Sequence, residues 1–153
     1  MRALEVWLAD RRFALPVAAI EEVLPLVEAR SLPGAPPWIL GMAHLRGAFV
    51  PLLDCGVLLN ASAVKRSMNT RIILLQQGAT GGALRIALMV DGVGSVVSVD
   101  PEASGVHPGI EGIANGAFGA LMHDSCGDIC MIEVTRLLSD SDRTLFRDAP
   151  SSP

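Results

Sequence analysis

The amino-acid sequence predicts an all-β protein, two small β-barrels sharing one compact body, with only short helices. Three observations predict it. Apolar residues fall in short runs, many of them alternating, punctuated by Gly, Pro, Asp and Asn rather than set in long stripes of helical period. A weak internal repeat sets Phe13 to Val23 beside Ile86 to Val96, apolar on apolar through the first five positions and again at the eighth and eleventh. A second match sets Pro51-Leu52-Leu53-Asp54 … Leu58-Leu59 beside Cys130-Met131-Ile132-Glu133 … Leu137-Leu138; the offsets are 73 and 79, so the second unit is slightly longer. Thirdly, Gly41 to Asp54 carries two short apolar strands that turn at a glycine. Units this small bury little core alone and must lean on each other.

In chain order, Ala3 to Ala9 alternates, with Leu4, Val6 and Leu8 on one face and Glu5 and Trp7 on the other, as in a half-buried strand. Asp10-Arg11-Arg12 turns the chain and Phe13 to Val17 returns. Pro16 cannot donate to a ladder, which places this strand at an edge or gives it a bulge. Ala18 to Glu22 forms a helical turn, and Val23 to Leu32 is extended, with Pro25 again marking an edge. Pro33-Gly34-Ala35-Pro36-Pro37 is a rigid loop and Trp38 an anchor after it. In the central stretch Arg46 is the only full cation, and Gly47 follows it at the corner. The guanidinium either bonds backbone carbonyls there or projects toward a partner. Asp54 caps a short helix over Val57-Leu58-Leu59.

Asn60 to Asn69, polar and basic at Lys65-Arg66, is the boundary between units: residues 1–66 form the first barrel, 67–140 the second, and 141–153 a helix end and tail. Thr70 to Gln77 and Leu84 to Val90 are strands around the loop Gly78 to Gly82. Asp91-Gly92 turns into β structure from Val93 to Val99. Gly105 to Gly119 is irregular. Ala120 to His123 and Ile129 to Val134 make a final hairpin, and Thr135 starts a terminal helix reaching Leu145-Phe146. One core is expected from Leu15, Val17, Leu45, Val50, Leu52 and Leu53, the other from Ile73, Leu75, Ile86, Leu88, Val90 and Ile132, with the terminal segments able to cross between them.

The chain has 153 residues, half of them hydrophobic, and reads as globular. No apolar run approaches the ~20 residues of a membrane helix, and Asp10-Arg11-Arg12 breaks any leader pattern, so the expected location is cytoplasmic with no membrane insertion. The net charge of −4 argues against nucleic acid, as do the absence of tyrosine and the packed setting expected for the two tryptophans. Residues 1–71 carry eight cations against six acids and residues 72–153 four against ten, a polarity suited to oriented docking. His123, Cys126 and Cys130 lack a fourth ligand nearby, and Cys130 falls in an apolar strand, so no metal is expected. No cofactor is expected either: Gly78 to Gly82 lacks the lysine and helix of a phosphate loop. His44 near Asp54 is the nearest thing to a catalytic dyad, but a lone His beside a strand is more often a satisfied structural residue and no paired His/Ser or His/Cys constellation accompanies it, so no enzyme is expected.

Gly41 … Leu45-Arg46-Gly47 … Val50-Pro51-Leu52-Leu53-Asp54, after the approach Leu32-Pro33-Gly34-Ala35-Pro36, and Met89-Val90-Asp91-Gly92-Val93 followed by Val96 and Val99, together resemble the CheW family of chemosensory coupling proteins. The resemblance runs from about Glu5 to Leu138. It implies two five-stranded, SH3-like β-barrel subdomains and a non-catalytic scaffold. The implied partners are the cytoplasmic tips of methyl-accepting chemoreceptors and the regulatory domain of a CheA-type histidine kinase, with flagellar chemotaxis and pilus motility both served by such systems. By position, Ile20 and Glu22 match the segment implicated in partner contact, Arg46 the motif arginine, and Gly41 and Gly47 its glycines. His44, also placed at the site, stands where the family usually has asparagine, and Cys55-Gly56 replaces the common Leu-Arg.

Overall fold

The computed structural model describes residues 1–59, 62–80, 84–99, 118–124 and 127–147. Among them the strands are β1 (Arg2–Leu8), β2 (Arg11–Pro16), β3 (Ile20–Pro25), β4 (Ile39–Leu45), β5 (Ala48–Asp54), β6 (Arg71–Leu75), β7 (Ala87–Val90), β8 (Gly92–Ser98), β9 (Phe118–Asp124) and β10 (Gly127–Ile132). The helices are short: α1 (Cys55–Leu58), α2 (Asp140–Arg147) and single 3-10 turns at Val17–Ala19 and Val134–Arg136. Two five-stranded sheets result, in the orders β8-β1-β2-β10-β9 and β3-β6-β7-β5-β4.

These orders are one pattern used twice. Advancing every strand of the first half by five converts one sheet order into the other, so β1 to β5 and β6 to β10 are the repeated units that the sequence showed. The units are not separate barrels, however. The first two strands of each unit pair with the last three strands of the other: β2 lies parallel to β10 (Phe13 beside Cys130), and β7 parallel to β5 (Leu88 beside Leu53). The expected division at residues 66 and 67 therefore does not separate the sheets. The chain changes sheets at Val17–Ala19 and again at Asp91, because a proline-ended strand and a one-residue bend turn it out of its own ladder.

The cores follow the exchange. Val6, Leu8, Phe13, Leu15, Cys130 and Ile132 of one sheet meet Leu53, Ile73, Leu75, Leu88 and Val90 of the other in one buried cluster, with Leu59, Ile86, Leu137 and Leu138. Leu15 and Leu53 thus share a core with Ile73, Leu75, Ile86, Leu88, Val90 and Ile132, against the expected split. Leu45, Val50 and Leu52 belong to a second cluster with Ala43, Ile72, Leu74, Ala87 and Met89, on the other face of the β3-β6-β7-β5-β4 sheet. Val17, expected inside, is 37% exposed on its turn. Because β6 and β7 are covered on both faces, they read as unbroken apolar runs.

Two proline expectations divide. Pro25 lies on β3, an edge strand as predicted. Pro16 lies on β2, an interior strand, which corrects the expected edge; as its last residue it meets no β10 partner, since that pairing involves Phe13 and Ala14. Most of the stretch Gly105 to Gly119, part of Gly78 to Gly82 and the last residues of the tail lie outside the described residues.

Candidate functional site

The β4–β5 hairpin turns on two residues, Arg46 at φ 51° and Gly47 at φ 79°, with Leu45 opposite Ala48. Both positive angles suit the right-handed twist of the flanking strands. Glycine takes that conformation without strain; arginine does not. Gly47 has nothing within 4 Å of an added Cβ, so its need is conformational rather than spatial. Gly47→Ala is expected to cost roughly 1 kcal/mol, seen as a lower urea midpoint with an unchanged slope.

Gly41 answers a different need. An added Cβ would stand 2.2 Å from the Arg30 carbonyl oxygen. Arg30 and Met42 exchange both backbone hydrogen bonds there, at 2.8 Å each, which ties the segment after β3 onto β4. Gly41 is buried and offers no surface to a partner.

Arg46 bonds a side chain where backbone carbonyls were considered for it. Its guanidinium forms a two-pronged ion pair with Glu22: Nε donates to Oε2 at 2.6 Å, and an Nη2 bond goes to Oε1. Glu22 lies on β3 and Arg46 at the end of β4, the two edge strands of one sheet, so that sheet curls until its edges meet. Leu24 of β3 packs against the cluster that holds Ala43 and Leu45 of β4. The hydrogen bond and charge of Arg46 hold the Glu22 carboxyl below its ordinary range, and Glu22 raises Arg46 in return. A depressed carboxyl contributes above its unfolded pKa and is lost only as pH falls through the lower folded value. The pair is therefore intact throughout the neutral range.

His44 stands beside it, exposed, with its ring centroid 5.1 Å from that of Phe49 across the hairpin. Phe49 is itself 36% exposed, giving the pair an aromatic margin. Ile20 does not join this group. A register shift between Ile20 and Glu22 inserts Glu21 as a bulge and reverses the alternation, so Ile20 packs against the cluster between the sheets while Leu24 packs into the other. Of the six residues singled out in the sequence, Glu22, His44, Arg46 and Gly47 come together, while Ile20 and Gly41 serve packing.

Sequence reasoning missed Glu21, which pairs with Arg85 in front of β7. The signal was two consecutive acids on one strand, and only the bulge explains how both find a cation.

The His44–Asp54 dyad considered in the sequence does not form. His44 and Asp54 sit at opposite ends of the hairpin. Asp54 is 4% exposed, and its carboxylate accepts the backbone N–H of Val57 at 3.0 Å and of Val64 at 3.1 Å. The Cys55-Gly56 departure acquires a reason: a Cβ at Gly56 would stand 2.0 Å from the Ser62 carbonyl oxygen, so the glycine lets the returning chain close over α1. Burial pushes the Cys55 thiol up to about 12 and the Cys130 thiol up to about 11, so both stay protonated and inert at neutral pH. Among the described residues no group of three His, Cys, Asp or Glu could hold a metal; Cys126 and the His123 side chain lie outside them. No helix among the described residues is long and apolar enough to cross a membrane.

A family model described as CheW-like domain matches residues 2–142. Among curated proteins, the chain is 26% identical over 137 residues to a probable chemotaxis protein CheW of Rhizobium etli, covering 88% of this chain and 85% of that one. It is 23% identical over 154 residues to chemotaxis protein CheW of Klebsiella aerogenes, covering 95% and 86%. Among solved structures, the scaffolding protein TtCheW from Thermoanaerobacter tengcongensis superposes with a TM-score of 0.77 at 22% identity, over 89% of this chain and 90% of that one, which shows the shared fold.

Proposed function

Since the chain belongs to the CheW-like domain family, we propose that it is a non-catalytic coupling scaffold of a bacterial chemosensory system. It joins the cytoplasmic tips of methyl-accepting chemoreceptors to the regulatory domain of a CheA-type histidine kinase. The observation that carries the docking site is the Glu22–Arg46 pair with its His44–Phe49 margin. It presents charge and aromatic surface together at the join of two edge strands, where a recognition surface profits most from a guanidinium. Arg46 bears the strain of positive φ in an exposed turn, and an exposed ion pair is weak compensation in stability. Strain of this kind is characteristic of sites kept for binding.

Arg46→Asn separates the roles, because asparagine tolerates the left-handed conformation and removes the cation. The expected result is a melting temperature close to that of the parent, with receptor retention in a reconstituted receptor–scaffold–kinase pull-down falling several-fold while kinase retention persists. Glu22→Arg combined with Arg46→Glu restores part of the receptor binding if the pair acts by holding the hairpin. Full coupling by Arg46→Asn would remove the site from consideration.

A further inference from the structure

A cleft of about 590 Å³ lies where the connection between the repeated units passes the β1–β2 turn, lined by Trp7, Ala9, Lys65, Arg71, Asp91 and Val93 among others. It shares no residue with the Glu22–Arg46 site.

Its rims are held rigidly. The Asp91 carboxylate accepts the N–H of Ala9 at 2.6 Å through one oxygen and that of Lys65 at 2.9 Å through the other, pinning both sides at once. Ala9 is held at φ 56°, the second non-glycine residue with positive φ among those described. Trp7 is fixed as a wall by its indole N–H, which donates to Glu5 at 3.0 Å. The connecting segment is equally ordered: Ser67 N–H donates to the Thr70 hydroxyl at 2.8 Å, that hydroxyl donates to the Lys65 carbonyl at 3.1 Å, and Arg71 Nη1 donates to the Met68 and Thr70 carbonyls at 2.8 Å each.

A segment that merely joined two units would need none of this. What the rigid backbone displays is two cations and an apolar tip: Lys65 and Arg66 are exposed and make no ion pair among the described residues, and Met68 is 88% exposed. Lys65 and Arg71 outweigh Asp91, the one acid in the lining, and exposed Arg66 follows Lys65 directly in the chain, so the cleft presents net positive charge. A preformed concave surface with cations on one side and a tryptophan and valine on the other suits an extended chain carrying carboxylates and apolar groups together. A nucleic acid suits it less, since one ring offers no stacking series.

We propose that this cleft is a second docking site, which takes an extended acidic peptide segment of a partner protein. Its carboxylates meet Lys65, Arg66 and Arg71, and its apolar side chains lie on Trp7, Val93 and Met68. The proposal is independent of the coupling role assigned to Arg46.

The test uses the whole chain with a fluorescein-labelled ten-residue peptide of alternating Glu and Leu, a matching Lys/Leu peptide, and an oligothymidylate of equal charge to the first. The expected result is anisotropy-detected binding of the Glu/Leu peptide that weakens with salt, falls at least ten-fold in Lys65→Glu/Arg66→Glu, and is unchanged in Arg46→Asn. Both substituted positions in the first variant are exposed, so its melting temperature should match the parent. Lack of binding, binding undiminished by the charge reversal, equal binding of the Lys/Leu peptide, or tighter binding of the oligothymidylate would each overturn the proposal.

Discussion

Glu5→Ala is expected to lower the stability of the fold by about 3–5 kcal/mol, the usual cost of removing one partner from a buried ion pair. Glu5 on β1 and Arg12 on β2 meet diagonally, Glu5 lying opposite Ala14 and Arg12 opposite Trp7, with side chains only 13% and 6% exposed. Arg12 donates from Nε at 3.2 Å and Nη2 at 2.8 Å to the same carboxylate oxygen, while Trp7 donates to the other. The alanine removes one carboxylate acceptor from a guanidinium that stays inside and takes the acceptor from the indole. It also opens a gap beside Gly94, where an added Cβ would stand 2.3 Å from Glu5 Oε1; the glycine is what admits the carboxylate. Equilibrium urea unfolding measures the loss. The double replacement Glu5→Leu/Arg12→Leu should recover part of it, because the buried guanidinium leaves together with the carboxylate. If the single and double variants lose equal stability, the pair is not the reason Glu5 matters.

Asp54→Ala should be nearly as damaging, at about 1–3 kcal/mol for each backbone N–H it strands. The donors are Val57 in the first turn of α1 and Val64 in the segment returning over that helix. Four residues make no helix by themselves, so α1 depends on its cap and on the packing of Leu58 and Leu59. Losing the cap also loosens the approach to Lys65, one residue beyond the second donor. Asp54→Asn keeps one acceptor oxygen and should lose roughly half as much. Amide exchange at Val57 and Val64, slow in the parent and fast in Asp54→Ala, locates the effect. An alanine variant whose exchange rises elsewhere but not at these two amides would contradict the assignment.

Much of the architecture was determined by the sequence alone. Strand by strand, alternation in Leu4, Val6 and Leu8 and the solid runs of β6 and β7 fixed what is extended and what is buried, because side-chain direction in a strand is a local property of the backbone. Gly47 announced its corner and Asp54 its cap for the same reason: both are decided by residues within three positions. The repeat was visible too. What it could not reveal was the reciprocal pairing of β1 and β2 with the second unit and of β6 and β7 with the first. Two units built from like strands can close on themselves or on each other with the same alternation, and only the turns at Val17–Ala19 and Asp91 choose between them. The candidate site divides along the same line. The sequence supplied Glu22 and Arg46 as separate residues; their meeting depends on a sheet curling until its edges touch, and on a bulge at Glu21 that reverses which way Glu22 points. Those are long-range consequences of packing, and no pattern within either strand contains them.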